Sequence, residues 1–169
     1  MRKKRVIFIC SFNSVRSPIA EGFLQQRGNG QYTVFSAGVA PVRINPFAVR
    51  VMQEVKIDIS DHKPASLYQY RNDNFECVIT LCDNVRTVAR EILPDSERFF
   101  HRNFVSPSEI GKARDETLAD FRKLRDEIAS WLIEIFPAAF PDQKSITVGD
   151  SIERGVIPLI AGSGQSKGT

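Results

Sequence analysis

Apolar positions along this chain alternate between short unbroken runs and longer periodic stretches. Arg5 to Cys10 (RVIFIC) is a continuous β-branched and aromatic run, which predicts a strand buried on both faces of a parallel sheet. Tyr32 to Ser36 and Glu76 to Cys82 (ECVITLC) predict a second and a third strand, and Arg98 to Phe104 a shorter fourth. Helical patterns lie between them. Pro18 marks a helix start that continues through Ile19 to Gln26 and closes at Gly28 and Gly30. Asn45-Pro46 opens a second helix with Phe47, Val51 and Val55 broadly on one face, and Asp83 to Leu93 a third, ended by Pro94. The longest periodic stretch is Asp115 to Phe136, where Leu118, Phe121, Leu124, Ile128, Trp131, Leu132 and Ile135 form one stripe. Strands alternating with helices imply an α/β sandwich with a mostly parallel sheet. After Phe140 the pattern breaks up among Pro141, Gly149, Gly155, Pro158 and Gly162, so a domain over 1–140 and an irregular, partly flexible tail over 141–169 are expected.

Composition narrows the class without naming a partner. The 169 residues carry a net charge of +3, too small to call for a nucleic acid or a membrane surface. The apolar run after the basic start MRKKR is too short for a signal peptide, and no stretch is long enough to span a membrane. Three cysteines in a chain of this length argue for a reducing, cytoplasmic compartment and for thiols that are either core filler or reactive.

One of those thiols sits in a chemically suggestive segment. Cys10 to Ser17 reads CSFNSVRS: a cysteine, five residues, then Arg-Ser, between a buried strand and a helix N-terminus. Loop amides of Ser11, Phe12, Asn13, Ser14 and Val15, with the first-turn amides of the helix, converge on one point, and the helix dipole favours negative charge there. Arg16 adds a planar fork suited to a tetrahedral oxyanion. A cysteine beside a helix N-terminus and an arginine is stabilised as its thiolate, the nucleophilic form. Ser17 can donate to the sulfur. The pattern Cys-x5-Arg is loose on its own, and its strand-loop-helix context is what gives it weight.

The segment Cys10 to Gly22, CSFNSVRSPIAEG, resembles the active-site segment of low-molecular-weight protein tyrosine phosphatases and of the thioredoxin-coupled arsenate reductases built on the same fold. The resemblance continues through Val34 to Gly38 (VFSAG), Asn45-Pro46, Ile57 to His62 (IDISDH), Val78 to Cys82 (VITLC), His101 and FRKLRDEI at Phe121 to Ile128. IDISDH and VITLC look more like the reductase branch. The resemblance implies a three-layer α/β sandwich with a four-stranded parallel sheet, and a thiol-dependent arsenate reductase. Cys10 is then the nucleophile, Arg16 and Ser17 its catalytic partners, and Cys82 the resolving thiol that forms a disulfide with Cys10. Its implied partners are an arsenate or phosphate oxyanion and a thiol donor (the thioredoxin, glutathione or mycothiol system), with no organic cofactor. A phosphatase acting on phosphotyrosine or small phosphates through the same loop is the alternative.

Several positions depart from the reductase pattern. Where the family carries a third redox cysteine, seven residues after Cys82, this chain has Ala89. The family's Asp-Pro acid loop matches Ser106-Pro107, and serine supplies no proton at neutral pH; Glu109 and Asp83 are the candidates to replace it. A potassium ion held in some reductases would find Asn13, Glu21 and Ser36 here, but Ala65 at the fourth position. Cys77 is expected to be core filler. His62 is expected to order a loop, and His101, just ahead of the acid loop, to be structural.

Overall fold

A computed structural model describes residues 2–141. The expected tail over 141–169 lies, beyond Pro141, outside the described residues. The chain runs β1 (Lys4–Cys10), α1 (Arg16–Arg27), β2 (Tyr32–Gly38), α2 (Pro46–Glu54), β3 (Cys77–Thr80), α3 (Arg86–Ile92), β4 (Arg98–His101) and α4 (Arg114–Ile135). All strand pairs are parallel and the sheet order is β2-β1-β3-β4, which places β1 at the centre. Val6 to Cys10 are buried, as the unbroken apolar run requires of a strand covered on both faces. Helices α1, α2 and α4 pack together, while α3 packs with a 3-10 turn at Leu67–Tyr70. The fold is a three-layer α/β sandwich.

The stripe on α4 is buried at Leu118, Phe121, Leu124, Ile128, Trp131 and Leu132, each contributing about 1.5–3 kcal/mol of burial free energy. Charge also enters this interface. Arg125 is buried and donates to the Val51 carbonyl at 2.8 Å and to Glu54 at 3.2 Å, and Arg122 grips Glu54 through two bonds. Glu54 is held below the usual carboxylate range, chiefly by the Arg122 hydrogen bond.

Element boundaries differ from the sequence expectation by a few residues at α1, β3 and α3. Helix α1 starts at Arg16, two residues before Pro18, because the proline's missing N–H falls among the first-turn donors that have no intrahelical partner in any case. β3 is shorter than Glu76 to Cys82. The Glu76 carboxylate accepts from the Arg5 N–H at 2.7 Å at one end, and at the other Leu81 makes a last bond to the Ile9 carbonyl before Cys82 turns away. The expected helix from Asp83 to Leu93 is a 3-10 turn at Asp83–Val85 followed by α3.

Candidate active site

Cys10 ends β1 and α1 begins six residues later, so the connecting loop lies at the C-terminal edge of a parallel sheet. That edge is where open α/β folds place their ligands. Cys10 is buried at 2% exposure, and its Sγ lies 3.0 Å from Ser17 Oγ in the first turn of α1. The loop between them is braced by the segment after β2. Carbonyls of Ser11, Phe12 and Ser14 accept from Ala40, Val42 and Asn45 at 2.9, 2.9 and 3.0 Å. Three oxygens that would repel an anion are thereby engaged elsewhere. Ser14 Oγ donates to the Arg43 carbonyl at 2.9 Å, and Phe12 is half exposed at the rim.

Arg16 is buried and donates from Nη1 to the Phe104 carbonyl at 3.0 Å. That carbonyl is itself fixed. Phe104 N–H donates to the Leu81 carbonyl at 3.0 Å, and its ring packs edge-on against Trp131 of α4 at 5.6 Å. The guanidinium is therefore aimed by a residue 88 positions away in the chain, a partner without any sequence signal.

Asn13 anchors the loop floor. It adopts a left-handed φ of 49°, tolerable for asparagine, and its side chain is fully buried. Its Nδ2 donates to Ser17 Oγ at 2.9 Å and Ser36 Oγ at 2.8 Å, while Oδ1 accepts from the Ala65 N–H at 2.9 Å. His62 Nε2 lies 3.1 Å from the same Oδ1, and its Nδ1 3.5 Å from Glu21. Ser36 Oγ donates to Glu21 at 2.5 Å. The expected potassium ligands Asn13, Glu21 and Ser36 are thus gathered, but Ser36 and Glu21 are bonded to each other, Asn13 Oδ1 is taken by the Ala65 N–H and faces His62, and Ala65 brings an N–H where a cation needs an oxygen. This arrangement does not fit a cation. Among the described residues no cluster of three His, Cys, Asp or Glu side chains is placed to hold a metal.

Gly38, the last residue of β2, lets this loop approach. A Cβ there would stand 2.8 Å from the Asn13 nitrogen and 2.9 Å from the Phe12 carbonyl carbon, backbone atoms that cannot swing aside. Gly38→Ala is expected to displace the loop at a cost of about 1–3 kcal/mol and to weaken oxyanion binding more than tenfold. Phosphate titration by calorimetry checks it, and unchanged affinity would contradict the contact.

The remaining thiols divide by position. Cys82 follows β3 at the same sheet edge, buried at 4% exposure, with Sγ 3.4 Å from Ser11 Oγ, the residue after Cys10. Cys77 pairs with Val6, four residues back along β1 from Cys10, and burial pushes its thiol up to about 12. Ala89 is buried in α3. Ser106 is exposed on the loop after β4. The two carboxylates considered in its place have partners: Glu109 accepts from Asn45 Nδ2 at 2.6 Å, and Asp83 lies 2.9 Å from His101 Nε2. Phe47 packs on Phe121 of α4.

Residues 5–136 match the low molecular weight phosphotyrosine protein phosphatase family. The chain belongs to this family. The matched span runs from β1 through α4 and so holds every residue of the loop, its braces and Cys82. Within the family, the chain is 38% identical over 128 residues to an arsenate reductase of Staphylococcus aureus (strain Newman), covering 76% of this chain and 92% of that one. It is 35% identical over 128 residues to an arsenate reductase of Halalkalibacterium halodurans, covering 76% and 91%. A solved structure of an arsenate reductase in reduced state superposes with a TM-score of 0.67 at 30% identity, over 80% of this chain and 98% of the other. No helix among the described residues is long and apolar enough to cross a membrane.

Proposed function

We propose that this protein is a thiol-dependent arsenate reductase in which Cys10 is the nucleophile, Arg16 and the loop Ser11 to Val15 hold the oxyanion, Ser17 steadies the sulfur, and Cys82 is the resolving thiol. The observation that carries the reading is the position of Cys82, whose sulfur lies 3.4 Å from Ser11 Oγ beside the nucleophile. In the proposed cycle the Cys10 thiolate attacks the arsenic of arsenate and an arsenic-bound oxygen leaves as water. The Cys82 thiolate then attacks Cys10 Sγ. An S–S bond forms, the S–As bond breaks, and its electron pair stays on arsenic, which departs as arsenite. Arg16 and the helix N-terminus act on the negative charge throughout, while Ser17 Oγ, 3.0 Å from Cys10 Sγ, supports the sulfur as it receives and releases charge.

With Ala89 in place of a third cysteine, the Cys10–Cys82 disulfide is reduced directly by an outside thiol, either a thioredoxin-type protein or a small thiol such as glutathione or mycothiol. Such a cycle belongs in the cytoplasm, where thiol pools are maintained. The exposed Ser106 favours this reading over phosphomonoester hydrolysis, because a phosphatase needs a proton donor for its leaving group and a base for water, together worth orders of magnitude. The test is arsenate reduction with thioredoxin, glutathione and mycothiol systems offered in parallel to wild type and Cys82→Ser. Arsenite formation is expected with at least one donor and is expected to fall about 100-fold or more in the variant. Turnover of nitrophenyl phosphate that survives Cys82→Ser, with no arsenite from any donor, would replace the reading with a phosphatase.

A further inference from the structure

Cys82 is the N-cap of the three-residue 3-10 turn Asp83–Val85, which leads directly into α3 through the Arg86 N–H bond to the Asp83 carbonyl. Its own bond, from the Val85 N–H to the Cys82 carbonyl, is long at 3.4 Å, and short 3-10 segments have poor hydrogen-bond geometry. Val85 is buried at the far end of the turn, while the end next to Cys82 is held from across the sheet edge. The Asp83 N–H donates to Asn103 Oδ1 at 3.3 Å, and Asp83 Oδ1 lies 2.9 Å from His101 Nε2. His101 closes β4 opposite Thr80 of β3, and its Nδ1 lies 2.7 Å from Thr80 Oγ1, a hydroxyl on a fully buried residue. These distances select one arrangement of a neutral ring: Thr80 donates to Nδ1, and Nε2–H donates to Asp83. The imidazole is thus locked from behind and presents one N–H to the carboxylate next to Cys82.

We propose that Asp83 and His101 form a latch on the Cys82 turn, positioning residues that set how fast an outside thiol regenerates the oxidised protein. The inference rests on the arsenate reductase reading, because only a Cys10–Cys82 disulfide needs regeneration. In that step the outside thiolate attacks Cys82 Sγ, forming a mixed disulfide and expelling the Cys10 thiolate towards Ser17 Oγ. A second outside thiol attacks the mixed disulfide, leaving Cys82 reduced and the donor oxidised, two electrons having passed to the protein. With free thiols, residues Cys10 and Cys82 are only 2% and 4% exposed, and an outside thiol would reach Cys82 in the disulfide by way of a movement of the turn. Moving it breaks the Asp83–His101 contact. The same contact holds the turn that carries Cys82 Sγ beside Ser11, so the latch slows reduction by resisting the movement that exposes Cys82.

The test prepares the disulfide form of the full chain by oxidation with diamide, a step that does not depend on arsenate chemistry, and follows its reduction by dithiothreitol. Asp83→Ala and His101→Ala are expected to speed reduction about three- to tenfold, the size of one lost hydrogen bond, whereas Asp83→Asn, which keeps an acceptor for Nε2–H, stays near wild type. A second measurement covers any change in overall stability. In reduced Cys10→Ser protein, alkylation of Cys82 by iodoacetamide is expected to quicken by a similar factor on adding Asp83→Ala, while Cys77 stays unreacted. Equal reduction rates in wild type, Asp83→Ala and His101→Ala, with equal alkylation rates, would overturn the latch. Arsenate failing to generate the disulfide that diamide forms would overturn the reductase reading and leave the latch to be judged on the diamide product.

Discussion

Cys10→Ser is expected to lower arsenate reduction by about 10⁴-fold or more, the scale seen when a covalent nucleophile is removed. A serine hydroxyl is a far weaker nucleophile than a thiolate at neutral pH, and oxygen cannot take the place of sulfur in the disulfide that releases arsenite. The substitution is otherwise gentle. Serine is slightly smaller, and Ser17 Oγ, 3.0 Å from the sulfur, remains as a hydrogen-bond partner. Oxyanion binding is therefore expected to persist, which separates loss of chemistry from loss of the site. Phosphate should still raise the melting temperature of Cys10→Ser while single-turnover arsenite formation disappears. Activity within tenfold of wild type would move the nucleophile elsewhere.

Arg16→Lys is the second large effect, expected at about 10²–10³-fold in kcat/KM, the cost of removing a preorganised oxyanion donor. Charge is conserved, so the loss measures geometry. A guanidinium can spend Nη1 on the Phe104 carbonyl, as it does at 3.0 Å, and still present a fork to the anion; an ammonium offers no such plane. Because Arg16 is buried, the lysine also leaves its aliphatic stem poorly packed and the Phe104 carbonyl short of a partner. Both KM and kcat are expected to worsen, since the arginine holds the bound oxyanion and its hold strengthens as charge builds on the oxygens in the transition state. Steady-state kinetics with phosphate calorimetry decide this, and values within threefold of wild type would mean that loop amides and helix dipole hold the anion by themselves.

Much of the fold was readable from residue patterns because its determinants are local. RVIFIC is too apolar for anything but a covered strand, and the α4 stripe repeats at helical spacing for six turns, so both elements appear where expected. Boundaries slipped by a few residues around β3, where the Glu76 carboxylate accepts from the Arg5 N–H just before the strand and Asp83 meets His101 just after it. The potassium ligand set shows the same limit. Asn13, Glu21, Ser36 and position 65 are brought together as expected, yet His62, entering from 49 residues away, and the Ala65 N–H convert the group into a hydrogen-bonded brace. Glu109 and Asp83, the candidates to replace the absent acid, are each engaged, one by Asn45 and the other by His101.

What the sequence by itself determined is the order of strands and helices and the nucleophile-to-arginine loop, because strand, tight loop and helix N-terminus are contiguous and their geometry follows from short-range sterics and hydrogen bonding. Tertiary structure alone decided what surrounds that loop: the Phe104 carbonyl that aims Arg16, the Gly38 backbone that admits Asn13, and the His101–Asp83 contact that holds the Cys82 turn. Those bonds join residues tens of positions apart. They exist only once parallel register has set β1 beside β2 and β3, and β3 beside β4, and no local pattern encodes which side chains that register brings face to face.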